Sequence, residues 1–315
     1  RRLVAMGETV RSVDLTVPEN QIDGIEYHAV DILDRERLKS IMRGVSHVHH
    51  NAALVPLRKS GNLFQKVNVH GTKNVLDVAI ESGVEHLSHM SSSAIYGDVV
   101  DNFPSKESGL YEPASPYALQ KLVIENFCEL FFKLYNLESV CLRYFNVFGP
   151  GQPGDSPYST AVSAWLDKIA ANQPLRSDGD GEQTRDIVYI DDVVDAIMQA
   201  IEVKNNEGKI YEIGGPKVIS FGDMVKSILS TINKKRFIID MPMPLAKIQS
   251  SILSLLPFSP ILTRDQCNIL SEEDNIVSGN YLTLEDLNIE PSDVEENMKK
   301  WLWRFRDGGE FAKVK

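Results

Sequence analysis

The chain has 315 residues, of which 43% are hydrophobic and 24% charged, enough to bury a large core in one or two domains. A net charge of −11 and a pI near 5.2 exclude a broad basic face for nucleic acid. No stretch reaches the ~18 apolar residues of a membrane span. Ile248 to Leu262 comes nearest, and Ser250, Ser251, Ser254, Pro257, Ser259 and Pro260 interrupt it.

Arg1 to Met6 reads as the last turns of a helix stopped by Gly7, and Thr9 to Leu15 as a strand with Asp14 at its end. Ile25 to Ile32 is the next predicted strand, and Val45 to Leu54 the one after. The latter carries His47, His49 and His50. Residues 47 and 49 share one strand face and 50 takes the other, and no cysteine or carboxylate stands at ligand spacing, so these read as core or loop histidines and no metal is expected. His89, in the following strand from Glu85 to Met90, has no assigned role. Leu63 to Ser82 has helical period, and so does Tyr117 to Tyr135, whose Leu122, Ile124, Phe127, Leu130, Phe131 and Leu134 can cover one face of a sheet. Glu138 to Phe148 is a predicted strand passing through Asn146.

Gly149 to Gly154 spells G-x-G-x-x-G after that strand. Pro150 and Pro153 remove two backbone donors that a phosphate would need, and Asp155-Ser156-Pro157 stands where a helix should begin. It is rejected as a dinucleotide loop. After the run Gly179 to Asp186 a helix reaches to about Val203, and Ile210 to Gly215 is the last predicted parallel strand. Alternating strands and helices predict an α/β fold, a doubly wound parallel sheet over 1–150 and 186–215. Residues 151–185 and 216–315 make a smaller C-terminal substrate lobe. Cys128, Cys141 and Cys267 lack metal spacing and read as buried thiols of a reducing, cytoplasmic compartment. No repeat or low-complexity tract is present.

The chemistry gathers between Ser91 and Gly149. Ser91-Ser92-Ser93-Ala94-Ile95-Tyr96-Gly97 places hydroxyls at a strand end. Ser115-Pro116-Tyr117-Ala118-Leu119-Gln120-Lys121 then sets a tyrosine and a lysine at i and i+4, on one helix face. A phenol titrates near ~10, and a neighbouring ammonium is expected to lower that value and make Tyr117 a usable acid or base. Together with Arg143-Tyr144-Phe145-Asn146-Val147-Phe148-Gly149, these segments resemble the extended short-chain dehydrogenase/reductases, most closely the UDP-sugar 4-epimerases.

That resemblance implies NAD as cofactor and a nucleotide-sugar as substrate. It implies Tyr117 as proton acceptor for the sugar 4-hydroxyl, Lys121 on the nicotinamide ribose, and Ser92, beside Ser93, on the reacting oxygen. It places Asp31 and Ile32 beside the adenine, Ala52 and Ala53 at the cofactor turn, and Asn68 as a brace of that loop. Asn146 and Arg185 would hold the diphosphate; an arginine fork suits it. Asp14 at its strand end can accept from the adenosine ribose and would repel a 2′-phosphate, favouring NAD over NADP. Dehydratases and decarboxylases of the family carry acidic residues just after the catalytic hydroxyl; here Ser93 and Ala94 follow it, which disfavours dehydration. The family often forms homodimers through two helices per subunit, here those near 63–82 and 117–135.

The first strand and glycine-rich loop of a Rossmann-like domain do not precede the opening helix, so the chain reads as such a domain entered part-way through its first crossover. Two alternatives stand beside the epimerase. Asn51 to Val69 resembles the branch of reductases and dehydrogenases acting on non-nucleotide hydroxyls or ketones. From about Met241 the resemblance to sugar epimerases fades. Leu262-Thr263-Arg264-Asp265-Gln266 and Trp301-Leu302-Trp303-Arg304-Phe305 look like divergent members, among them relatives of a respiratory complex I accessory subunit. That resemblance implies a catalytically silent, NAD-binding structural subunit. Trp301, Trp303 and Phe305 read as packing residues.

Overall fold

The computed structural model describes residues 1–55, 61–96, 113, 115–152, 161–202, 209–253, 267, 270, 274–277 and 279–311. Its strands are β1 (Val10–Asp14), β2 (Ile25–Ala29), β3 (His47–His50), β4 (His86–Met90), β5 (Glu138–Tyr144), β6 (Asn146–Phe148), β7 (Leu175–Asp178), β8 (Thr184–Tyr189), β9 (Ile210–Ile213), β10 (Val218–Ser220), β11 (Ile238–Met241) and β12 (Asp274–Asn275). The helices are α1 (Arg2–Ala5), α2 (Arg35–Met42), α3 (Asn62–Gln65), α4 (Thr72–Ser82), α5 (Pro116–Tyr135), α6 (Ala161–Ala170), α7 (Ile190–Glu202), α8 (Phe221–Ile232), α9 (Met243–Leu253) and α10 (Val294–Trp301). None of the described helices is long and apolar enough to cross a membrane.

The main sheet is parallel throughout, in the order β3-β4-β5-β9, with His47 opposite His86 and His89 opposite Cys141. β1 and β2 form a separate parallel pair, Val10 opposite Ile25. The pair does not hydrogen-bond to β3, yet Val13 of β1 and Val48 of β3 lie on one core with Leu38, Met42, Val75, Leu76 and Ala79 of α2 and α4. Parallel strands joined by helices that cover their faces are the expected α/β arrangement.

The predicted strand from Glu138 to Phe148 divides at Phe145. β5 stays in the main sheet while β6 moves to a second sheet, where β8 pairs with β6, β10 and β12. Asn146 therefore opens a strand of the second sheet rather than closing one of the first. That sheet packs on α6, α8 and α10 through Phe148, Trp165, Leu166, Ile187, Met224, Ile228 and Met298. Trp301 and Phe305 pack against this core, and Trp303 stays half exposed.

Two local features set the site. The Ser115 hydroxyl caps α5 by accepting from the Ala118 amide at 3.2 Å, Pro116 opens the helix, and Asn136 closes it at φ 57°. The predicted helix from Leu63 to Ser82 is present but is not uniformly α. Lys66–Gly71 forms a π-helical turn between α3 and α4, a distortion that often marks functional positions.

Gly215 ties the two sheets. A β-carbon there would lie 1.8 Å from the Ile187 carbonyl oxygen of β8, so only glycine lets the turn after β9 pass. Gly215→Ala is expected to cost more than the ~1–3 kcal/mol of ordinary overpacking, because the obstacle is backbone. Urea unfolding of the variant beside the parent checks this.

Candidate active site

β4 delivers the serines. The Ser91 amide donates to the Leu142 carbonyl at 2.8 Å, extending the β4–β5 ladder by one residue. The chain then turns through a 3₁₀ segment, Ser93–Tyr96. Across from it, α5 turns Tyr117, Lys121, Glu125 and Cys128 inward, at the i, i+4 and i+3 spacing of one face. Ser92 hydrogen-bonds the Tyr117 phenol, and its Oγ accepts from the Ala94 amide at 3.2 Å. Lys121 donates from Nζ to the Met90 carbonyl at 2.5 Å, with Nζ 5.8 Å from the Tyr117 ring centroid. Ser92, Tyr117 and Lys121 therefore meet. Ser93 is buried in the turn next to them.

The electrostatics differ from the sequence expectation. Burial pushes the Tyr117 phenol up to about 12, against the smaller downward pull of the Ser92 hydrogen bond. Burial also lowers Lys121 to about 8. The enclosed site penalises both charged forms, and that penalty outweighs the help expected from the neighbouring ammonium.

Beneath this helix lie the histidines. His50 holds Thr72 Oγ1 through Nε2 at 2.9 Å, and His49 meets Ser88 Oγ at 2.8 Å through Nδ1. His50 and His89 pack ring to ring at 5.4 Å, while both ring nitrogens of His89 are buried without a hydrogen bond. Burial, with Lys121 nearby, lowers His50 to about 3 and His89 well below its usual range; burial alone lowers His49 to about 4. These are neutral core imidazoles.

On the cofactor side, Asn68 sits in the π-helical turn and is almost fully enclosed. Its side-chain oxygen accepts from the Leu54 amide at 2.7 Å. Its amide nitrogen donates to the Leu54 carbonyl and to Gln120 Oε1, each at 2.9 Å. Asn68 thus clamps the segment after β3 and links it to α5. On that segment Ala52 is exposed and Ala53 half-buried. Asp14 is exposed at the end of β1, where its Oδ1 accepts from the Leu15 amide at 2.6 Å. Asp31 caps its own turn through the Leu33 amide at 2.9 Å, and Ile32 packs under Gly71. The exposed carboxylate, the small alanines and the clamped loop fit a dinucleotide laid across these strand ends.

Asn146 and Arg185 stand on neighbouring strands of the second sheet. Asn146 donates to the Asp186 carbonyl at 3.0 Å. Arg185 is buried against the Phe221 ring, 5.0 Å from its centroid, and donates to the Thr184 carbonyl at 2.6 Å. Gln120, Glu125 and Arg143 were missed in the sequence. The signals that could have found two of them are a charge inside an apolar strand pattern for Arg143 and a carboxylate one turn beyond Lys121 for Glu125.

Residues 1–214 match Epimerase, the NAD dependent epimerase/dehydratase family. The chain belongs to that family. It is 34% identical over 204 residues to a putative UDP-glucose 4-epimerase of Methanocaldococcus jannaschii, a match covering 63% of this chain and 65% of that protein. It is 28% identical over 261 residues to an uncharacterised protein of Sinorhizobium fredii, covering 83% and 64%. The chain thus spans a little under two thirds of the length of these relatives. Its fold superposes on a UDP-glucose 4-epimerase from Thermotoga maritima, solved with UDP-glucose, with a TM-score of 0.78 and 25% identity, over 98% of this chain and 94% of that one. The family is NAD dependent.

The buried imidazoles have a pH signature. His50 takes up a proton near 6.5 when unfolded and only near 3 when folded, so the unfolded state binds more protons as pH falls below 6.5 and stability is lost there. Asp186, raised to about 6 by burial, acts in the opposite sense between its unfolded value of 3.8 and about 6. Three histidines outweigh one carboxyl. His50→Asn is expected to flatten the acid limb by up to ~1.4 kcal/mol per pH unit, and Asp186→Asn to steepen it between pH 4 and 6. Unfolding free energies measured from pH 7 to 4 check both.

Proposed function

We propose that the chain is an NAD-dependent nucleotide-sugar epimerase that interconverts UDP-sugars at C4. The observation that carries this reading is the convergence of Ser92, Tyr117 and Lys121 with Ser93 and Ala94, not a carboxylate, following the catalytic serine. NAD, when bound, supplies the hydride acceptor and returns the hydride. Asp14 would receive the adenosine ribose, Asp31 and Ile32 the adenine side, Ala52 and Ala53 the close backbone approach, and Lys121 the nicotinamide ribose.

Tyr117 Oη takes the proton from the sugar 4-hydroxyl and later gives it back. Ser92 Oγ holds the same oxygen in line. A phenol near 12 is protonated at neutral pH, so proton removal needs the positive charges of the filled site to draw Tyr117 down. Asn146 and Arg185 hold the diphosphate, leaving the sugar ring free to present either face. This last role requires Arg185 to turn from Phe221 toward the ligand.

Two finer readings accompany it. Among the described residues β1 and β3 each keep an edge without a strand partner, and a further parallel strand with a glycine-rich turn between them would complete both the sheet and a pyrophosphate cradle. Leu119, Leu130 and Leu134 form an exposed apolar face on α5, which suits a homodimer built on α4 and α5. The free thiols suit a reducing cytoplasm. The buried Tyr117 and the Lys121 bond to Met90 also favour a second reading, a silent NAD-holding subunit.

Calorimetry with NAD⁺, UDP-glucose and UDP-GlcNAc, on this chain and on a form preceded by a strand and glycine loop, tests these readings. The epimerase reading expects the extended form to bind NAD⁺ and a UDP-sugar, with sugar turnover and no steady-state gain in reduced-nicotinamide absorbance. Tyr117→Phe should then lower kcat by ~10²- to 10⁴-fold and leave KM within about twofold. NAD⁺ binding with no sugar binding favours the silent subunit, and steady accumulation of reduced nicotinamide points to a dehydrogenase.

A further inference from the structure

The catalytic helix carries a second buried charge that the reaction above does not use. Glu125 lies one turn beyond Lys121 on the same face of α5 and is enclosed. Its carboxylate accepts from Arg143 of β5 twice, at 2.9 Å from Nε to Oε1 and at 2.7 Å from Nη2 to Oε2, and from Ser91 Oγ at 2.5 Å. Arg143 also donates from Nη1 to the Tyr96 hydroxyl at 2.8 Å, and Tyr96 donates to Glu212 of β9. The guanidinium lies against the rings of Tyr96 and Tyr281, 5.1 and 4.4 Å from their centroids. Arg143, Glu212 and Ser91 each have 0% exposure.

The attachments fall beside Ser92 and Lys121. Ser91 is the chain neighbour of Ser92, Tyr96 closes the turn that holds Ser92, and Lys121 is one turn from Glu125. We propose that Glu125 and Arg143 are positioning residues for the reaction. Their buried pair locks α5 onto the serine turn and holds Lys121 as an ammonium against Met90. This rests on the reading of Ser92, Tyr117 and Lys121 as the reacting set.

A charged pair does something here that packing alone would not. Lys121 is faced by His50 from β3, His89 from β4 and Cys141 from β5, and by Tyr117, Glu125 and Cys128 from its own helix. Burial keeps both imidazoles neutral near pH 7, and burial with the adjacent Cys128 keeps Cys141 a thiol. Among these described groups, Glu125 supplies the opposing charge. Arg143 donates to both oxygens of that carboxylate, and Ser91 bonds the Oε1 that faces the serine turn.

The test is a ¹³C titration of ε-labelled lysine in the full chain, with the Lys121 signal assigned by its loss in Lys121→Arg. In the parent the signal should titrate near pH 8. Glu125→Gln keeps an acceptor for Ser91 and Arg143 but removes the charge, and should move the midpoint down by about one pH unit. Where the parent turns over a UDP-sugar, the same variant should lose about tenfold in kcat at pH 7.5 with KM nearly unchanged. Arg143→Lys leaves Glu125 and a cation beside it and should retain most of the parent midpoint and kcat. A folded Glu125→Gln protein with an unshifted Lys121 midpoint overturns the proposal. If that variant fails to fold, Glu125→Met with Arg143→Met replaces the pair by apolar bulk and must show the same downward shift. Absence of sugar turnover in the parent would count against the epimerase reading, while the lysine titration still decides the role of Glu125.

Discussion

A helix that turns a lysine and a glutamate toward the interior needs partners for both, and that need sets where α5 lies. An isolated charge buried in a low-dielectric interior costs several kcal/mol, so α5 cannot settle on the sheet by apolar contact alone. It must sit where Arg143 meets Glu125 and where the Met90 carbonyl meets Lys121. Those partners lie on β5 and β4, the two central strands of the main sheet. The helix is thereby fixed in rotation and in height. Tyr117, one turn before Lys121, is carried to Ser92 as a consequence.

The same enclosure shapes the chemistry. Burial raises the phenol and lowers the ammonium, so the ligand-free site favours neutral tyrosine and weakens the charge on lysine. A phenolate beside an ammonium becomes favourable only when additional charge or hydrogen bonding enters the cavity. A dinucleotide and a diphosphate sugar bring such groups, so the site would gain its reactive protonation state on filling. The neutral histidines below it add no competing charge, and their cost appears only in acid.

The alternating strands, the capped helix α5 and the meeting of serine, tyrosine and lysine were legible because each has a local signal: period, capping residue or motif. Asn68 was legible as a loop brace only through resemblance. The structure supplies the cause, a π-helical turn that no periodicity announces. The division at Phe145 was hidden because Asn146-Val147-Phe148 continues the apolar alternation of β5; only pairing with β8 shows that it has changed sheets. The electrostatics of Tyr117 were misjudged for a related reason. Sequence shows the neighbouring lysine but not the depth at which both lie. Glu125 and Arg143 are 18 residues apart in sequence, so neither signalled the other.

That change of sheets couples the two halves. β5 ends in the main sheet at Tyr144, one residue separates it from β6, and β6 opens the second sheet with Asn146. Any rotation of the second sheet would therefore act on a single peptide unit beside the serine turn. Two further ties oppose it. The Asp186 carboxyl of β8 accepts from the Gly215 amide just after β9 and from the Val277 amide at 3.3 Å, and Leu282 bridges to Tyr211 of β9. Tyr281, next to Leu282, lies against the Arg143 guanidinium. The segment around Tyr281 thus rests on the charge network around Arg143 and Glu125. A displacement of that segment would be felt at Arg143 before it reached Tyr117, so the geometry of Ser92, Tyr117 and Lys121 is tied to the placement of the second sheet.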